Sequence, residues 1–246
     1  MTSWEHVNIV LRLADIVIEV LDAREIAASR QKALEEKVRR LGKKLLYVIT
    51  KCDLVPKEEV QQAAHQLQPS VFISSTEKWG TTILKKKLLE IGKGEKITIG
   101  IVGYPNVGKS SLINALAGRH AARVSPESGF TKGMQRIRVS PKILLLDTPG
   151  VFPREERAKE GLEAARYVKI GAVDYGKLRD PETAALQLLT DEKERIRTHY
   201  SLQEEEPEEI LEALAKKFKK VRKGGFPDSE AAARLLLKEW QAGKIR

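Results

Sequence analysis

Gly103-Tyr-Pro-Asn-Val-Gly108-Lys109-Ser110 is the stretch of this 246-residue chain with the most legible chemistry. Its G-x-x-x-x-G-K-S spacing aligns backbone N–H groups of Asn106, Val107, Gly108, Lys109, Ser110 and Ser111 on a phosphate at a helix N-terminus. The two glycines permit the turn and the close backbone approach. Lys109 adds a point charge for β- and γ-phosphates, and the Ser110 hydroxyl an oxygen for Mg²⁺. The apolar run Ile97 to Val102 precedes the loop, and Ser111 to Leu116 reads as a helix after it. A strand before and a helix after is the setting this loop requires.

Thr50-Lys51-Cys52-Asp53, after the apolar run Leu45 to Ile49, has the pattern that selects a base. In such an element the Asp carboxylate accepts from the ring N–H and the exocyclic amine of guanine, while the Lys stem packs over the purine. Adenine presents an acceptor at that ring position, and leaving a buried acceptor unpaired supports strong rejection. Ser74 and Ser75, after Val71-Phe72-Ile73, suit a loop whose backbone N–H meets the guanine carbonyl, or simply end a strand. Asp147-Thr-Pro-Gly150 follows a further apolar run, Ile143 to Leu146. Asp147 is expected to hold Mg²⁺ through water, and the Gly150 N–H to sense the γ-phosphate. Thr131, in Ser128-Gly-Phe-Thr-Lys-Gly133, is the candidate switch threonine for the same ion; the alternative is a polar residue in a turn.

The residues expected nearest the hydrolysis chemistry are Asn106, Lys109, Thr131 and Gly150. Val151, Phe152 and Pro153 follow Gly150, where a Gln would ordinarily orient the attacking water. Apolar side chains cannot do so, and slow unassisted GTP hydrolysis is expected. Asn106 offers an amide oxygen to a K⁺ ion beside the phosphates, which would stabilise charge as an arginine finger does. It can equally satisfy hydrogen bonds of its own loop, and the residues leave both readings open.

The elements that must position these groups alternate strand and helix. Strands are expected at about 15–21, 45–49, 71–74 and 97–102, with helices near 4–14, 29–41, 57–67 and 81–91. Two adjacent strands, Gln135 to Val139 and Lys142 to Asp147, form an edge hairpin about Ser140-Pro141. The expected fold is α/β: a P-loop GTPase domain over 1–152, with a mostly parallel six-stranded sheet covered by helices on both faces. Beyond it the strand signal stops. Helices near 155–169, 181–190, 207–223 and 228–242 predict a small all-helical domain over 153–246. In the third of these, Leu211, Leu214, Phe218 and Val221 fall on one helical stripe. Lys216, Lys219, Lys220 and Lys223 fall on the opposite one, a cationic face for RNA phosphates or for water.

Composition narrows the classes. No apolar run approaches the ~20 residues of a membrane span, and the N-terminus lacks the pattern of a secretory signal. The single cysteine excludes an internal disulfide and suits a reducing cytoplasm. Residues 151–246 hold 20 basic and 19 acidic side chains, so nearly all of the net charge of +10 lies in the first 150 residues. A basic protein with a nucleotide pocket is suited to a larger polyanion as well.

The motif order is unusual: the base-selecting element lies upstream of the phosphate loop, as if the chain had been cut and rejoined at another loop. T-K-C-D, I-S-S, G-Y-P-N-V-G-K-S, G-F-T-K-G and D-T-P-G-V in that order resemble the circularly permuted GTPases of ribosome assembly, the YlqF/RbgA type. Asp22-Ala23-Arg24 is similar to that family's D-A-R signature, and Ala215 to Lys244 to its helical tail. GTP or GDP with Mg²⁺ is the expected cofactor set, K⁺ a further candidate ion and a cytoplasmic monomer the expected form, while the resemblance implies a GTPase switch. It also implies docking on the large ribosomal subunit precursor, through rRNA and ribosomal proteins, with hydrolysis promoted there. Three positions depart from the pattern. The G-H-M lead-in is absent and its role is not carried to His6; Ile26 replaces Pro; Thr50 replaces Asn, an exchange expected to loosen the bracing between base loop and phosphate loop. Permutation fuses the helical domain just after Gly150, so nucleotide state is expected to reach residues 151–246. Competing classes are a GTP-controlled regulator of tRNA or of a membrane process, and an ATP-dependent phosphotransferase, which Asp53 argues against.

Overall fold

The computed structural model describes residues 3–118, 122–124, 135–147 and 167–245. In chain order the first part forms α1 (Ser3–Leu13), β1 (Ile16–Asp22), α2 (Ile26–Ser29), α3 (Lys32–Arg40), β2 (Lys44–Thr50), α4 (Lys57–His65) and β3 (Ser70–Phe72). It continues with α5 (Thr81–Ile91), β4 (Ile97–Val102), α6 (Lys109–Ala117), β5 (Ala122–Val124), β6 (Gln135–Ser140) and β7 (Ile143–Asp147). All six expected strands are present. The three-residue β5 makes a seventh at the edge, too short to carry a periodic signal.

The strands are ordered β3-β2-β1-β4-β7-β6-β5. Pairing is parallel from β3 through to β7, then antiparallel for β6 and β5. A parallel central strand is buried on both faces and needs apolar residues on each, which explains the unbroken run of β1. On one face, Val7, Val10, Leu11 and Ala14 from α1 and Leu34 and Val38 from α3 pack with Val17, Val102 and Leu146. A Cβ on Gly100 would lie 2.3 Å from Val10 Cγ1, so this glycine lets α1 press against β4. The other face presents Ile18, Val20, Ile99, Ile101 and Leu145, all fully buried. The α5 and α6 helices bury Leu84, Leu88, Leu112 and Leu116 and touch each other.

Beneath the α3 face lies a polar cluster. The Glu19 carboxylate is fully buried and accepts from Gln31 N at 2.7 Å. Burial pushes its carboxyl up to about 8, opposed by the Gln31 N–H and reinforced by nearby Glu35. Glu35 is held below the ordinary range: burial would raise it, but the paired Arg30 guanidinium (2.7 Å) and the Tyr47 hydroxyl (3.0 Å) outweigh that.

The chain divides into two compact units, Met1–Arg157 and Ala158–Arg246. The expected boundary at 152/153 and most of the expected 155–169 helix lie outside the described residues. In the second unit α7 (Pro181–Tyr200), α8 (Pro207–Lys217) and α9 (Ser229–Gln241) close around fully buried Trp240, whose Nε1 donates to Lys169 O at 2.8 Å. Asp180 and Asp228 cap α7 and α9 through the N–H groups of Thr183 and Ala231, each at 3.0 Å. The α7 helix runs ten residues past its expected end, bending at Glu192 rather than stopping.

One expectation fails in α8. The helix was expected to reach residue 223, but it stops at Lys217. Lys219 takes a left-handed φ of 52°, and the N–H groups of Lys219 and Lys220 close on Lys216 O and Ala215 O at 3.1 and 2.8 Å. That is a Schellman end, which satisfies the last carbonyls and turns the chain away. Lys216 alone of the four lysines stays on the helix; Phe218 at its C-cap still packs edge-on against Tyr200, with ring centroids 5.6 Å apart, while Val221 is 54% exposed and leaves the stripe.

Candidate nucleotide site

The motif residues converge because parallel strands carry their chemistry at one edge. The phosphate loop follows β4, Asp147 ends β7, Asp22 ends β1, Thr50 ends β2, and Ser74 and Ser75 follow β3 closely. These are the carboxyl ends of five neighbouring strands, where open α/β sheets bind ligands. In the phosphate loop Asn106 is exposed and left-handed at φ 59°, and Gly108 caps α6 at φ 100°. Ser110 and Ser111 are exposed in the first turn of α6, while Val107 anchors the loop in the core. The result is a helix N-terminus whose opening turn faces outward, as an anion site requires.

Lys109 is only 6% exposed, and its ammonium donates to Gly103 O at 3.0 Å and to Tyr104 O. Burial pulls its pKa down to about 8, with Asp147 opposing. The Asp147 carboxyl is pushed up by burial and lowered by Lys109. Ser110 and Asp147 line one cleft of about 540 Å³, together with Asn114, Gln135 and Ile137. A hydroxyl and a carboxylate sharing a cleft suit Mg²⁺, a hard cation that keeps several waters and takes few protein ligands. Among the described residues no group of three His, Cys, Asp or Glu could hold a metal. Thr131 and Gly150 lie outside the described residues.

The base loop is tied directly to this phosphate loop. Thr50 Oγ1 lies within reach of Val107 O and of Leu21 O, the latter at 3.0 Å, and its single proton serves either. A Cβ on Gly108 would sit 3.0 Å from the same hydroxyl, so Thr50 and the glycine fit against each other. The bracing that the Thr-for-Asn exchange was expected to loosen is therefore present, because the shorter side chain still reaches the loop carbonyl. Asp53 Oδ1 accepts from Ser74 Oγ at 2.7 Å, and Cys52 N reaches Ile73 O at 3.4 Å. The 50–53 loop and the loop after β3 thus form one assembly.

Comparison with known proteins places the chain in a family. A family described as 50S ribosome-binding GTPase matches residues 98–221, and one described as RsgA GTPase matches residues 16–155. The chain belongs to the 50S ribosome-binding GTPase family. It is 39% identical to an uncharacterized GTP-binding protein of Methanocaldococcus jannaschii, across 97% of this chain and 65% of that one. It is 33% identical to a guanine nucleotide-binding protein-like 3 homolog of Caenorhabditis elegans, across 96% of this chain and 48% of that protein. The chain therefore spans about half to two thirds of the length of these relatives. The crystal structure of GNP-bound YlqF from T. maritima superposes with a TM-score of 0.70 at 24% identity, covering 98% of this chain and 94% of that one. That likeness establishes the shared fold. The motif order together with the strand order makes this member a circularly permuted one.

Within this GTPase several pocket-supporting residues are not evident from motif spacing. The Asp22 carboxylate is fully buried and grips Arg24 through two side-chain bonds of 3.0 and 2.8 Å. It also accepts from Lys51 Nζ at 2.7 Å. Burial would raise Asp22, but the two cations outweigh it and hold the carboxyl below its ordinary value. Burial in turn pushes Lys51 down, partly offset by Asp22. The D-A-R signature is thus the anchor of the base-loop lysine across the β1–β2 pair, where Asp22 stands opposite Thr50. Ser74 Oγ orients Asp53, while Ser74 N–H is spent on Trp79 O at 3.3 Å. Ser75 N–H has no partner among the described residues and is the one open to a guanine carbonyl. Cys52 points inward: its thiol donates to Ile49 O and burial pushes it up to about 12, so its part is packing.

Proposed function

We propose that the chain is a guanine-nucleotide switch that hydrolyses GTP slowly and acts on the large ribosomal subunit during its assembly. The observation that carries this reading is the brace from Thr50 to Val107, which joins a guanine reader and a phosphate loop at one sheet edge. The family's description supports the ribosomal target. No helix among the described residues is long and apolar enough to cross a membrane.

In this reading Asp53 accepts from the guanine edge, the Lys51 stem covers the purine, and Ser75 N–H meets the carbonyl. Lys109 turns from its loop carbonyls to the β- and γ-phosphates, which the N–H groups of Asn106 to Ser111 cradle. Ser110 and Asp147, with Thr131, would hold Mg²⁺, which neutralises developing phosphate charge when bound. Gly150 N–H senses the γ-phosphate. Val151 in place of Gln leaves the attacking water without an orienting amide, so turnover waits for the ribosomal partner; the Asn106 amide oxygen would hold a K⁺ ion, which would supply positive charge beside the phosphates. Lys216, Lys219, Lys220 and Lys223 contact rRNA phosphates.

The test is GTP turnover with and without large ribosomal subunits, in K⁺ and again in Na⁺. Stimulation by subunits, greater in K⁺, is expected. Identical slow turnover in all four conditions would contradict both the target and the ion.

A further inference from the structure

The helical unit carries a feature that the reading above does not use. After α8 ends, residues 218–228 fold back as a small hairpin. Val221 bridges Pro227 in antiparallel fashion, Arg222 N donates to Phe226 O at 2.8 Å, and Asp228 N to Lys220 O at 2.8 Å. Gly224 and Gly225, at φ 96° and 82°, turn the tip. Phe226 stands beside that tip and is 71% exposed, the most exposed large apolar side chain among the described residues. Its backbone is fixed, since the Phe226 carbonyl accepts from Arg222 N, and its ring lies over Gly224, 3.4 Å from where a Cβ there would be.

Its surroundings are cationic. Lys219, Lys220 and Lys223 make no ion pair among the described residues, whereas Arg222 sits between Glu182 and Asp228 at 3.8 and 3.5 Å. An exposed phenyl ring costs solubility and gives nothing to the core, whose apolar centre is Trp240 with the leucines of α7 to α9. An exposed aromatic ring on a hairpin that also carries these three lysines is complementary to one ligand chemistry in particular. A base offers a flat π-face for stacking, and its flanking phosphates offer the anions. In a duplex that face is already covered by neighbouring bases.

We infer that the 218–228 hairpin is a single-stranded RNA reader in which Phe226 stacks on one unpaired base while Lys219, Lys220 and Lys223 hold the adjoining phosphates. This rests on the proposal that the helical unit meets rRNA, and it specifies the class of RNA: a splayed loop, bulge or strand end rather than a helix.

The experiment measures binding of the full chain to a fluorescein-labelled single-stranded oligoadenylate of about 12 nucleotides, and to a blunt RNA duplex of the same length. Phe226→Ala is expected to weaken single-strand binding about 5- to 150-fold, the range of one base–aromatic stack, and to leave the salt dependence unchanged. Phe226→Trp should keep the affinity. The triple change Lys219→Gln, Lys220→Gln and Lys223→Gln should lower the slope of log K against log salt by about 2 while GTP binding persists. Thermal melts of each variant confirm that the unit folds. Equal single-strand binding by wild type and Phe226→Ala would overturn the inference while leaving rRNA contact by the helical unit standing. Full affinity in Phe226→Leu would also overturn it, because an aliphatic side chain that serves as well marks a protein-facing contact. Failure of wild type to bind either RNA or to co-sediment with large subunits would instead remove the underlying rRNA proposal.

Discussion

Thr50 shows how one hydroxyl can substitute for an amide at a junction of two loops. It needs only a donor within reach of Val107 O, and the close seat of Gly108 supplies the proximity. Thr50→Val keeps the volume and removes the donor, so it should weaken GDP binding about 5-fold, the effect of about 1 kcal/mol. Equilibrium titration with a fluorescent GDP analogue measures it, and Thr50→Asn should restore most of the loss. Lys109 makes a second residue-scale prediction. Its pKa in the protein alone is about 8, so it is largely neutral at about pH 9 and charged below pH 7. Phosphate brought beside it raises that value, so nucleotide binding must take up a proton at about pH 9 and nearly none at about pH 6. Calorimetry in two buffers of different ionisation enthalpy reads this directly; no uptake at the higher pH would place Lys109 away from the phosphates.

At the scale of elements, the buried Glu19 on β1 sets a pH dependence of stability. The folded chain keeps its proton to about 8, whereas an exposed Glu releases it near 4.5. Between those values unfolding releases a proton, so this group's contribution is full below 4.5 and is lost as pH rises toward 8. Glu19→Gln cannot ionise, and its melting temperature should gain on wild type steadily from about pH 5 to about pH 8. A constant difference across that range would show that Glu19 titrates normally. The same strand illustrates what was legible beforehand. Its apolar run announced a buried parallel strand, and the motif spacing placed Lys109, Ser110, Asp53 and Asp147 at strand ends. Glu19 was not legible, since a single acid in an apolar run says nothing of the Gln31 N–H that receives it. Nor was the end of α8: residues 218–223 keep a helical spacing of apolar and basic groups, but Gly224-Gly225-Phe226-Pro227 gives the chain a better hairpin, and tertiary packing decided. The Asp22–Lys51 contact needed the parallel register of β1 and β2, which no local pattern encodes.

For the whole molecule, permutation places the Thr50–Asp53 loop upstream of the phosphate loop at 103–110, and it leads the chain from β7 into the helical unit. Nucleotide state should therefore alter the tryptic sensitivity of residues 151–246, compared between GDP and a non-hydrolysable GTP analogue; identical cleavage patterns would sever that link. The deeper question is whether the two loops make one pocket. In the proposed pocket the Asp53 carboxylate would accept two guanine protons, whereas an Asn there presents a donor suited to the carbonyl of xanthine. Competition binding of GTP, XTP and ATP to wild type and Asp53→Asn puts this to the test. Wild type should prefer GTP, and the variant should lose GTP and gain XTP, with both triphosphates displaced by inorganic pyrophosphate at the phosphate loop. A variant that holds GTP as tightly as wild type does would mean that the loop at 50–53 never meets the base of a nucleotide bound at Lys109.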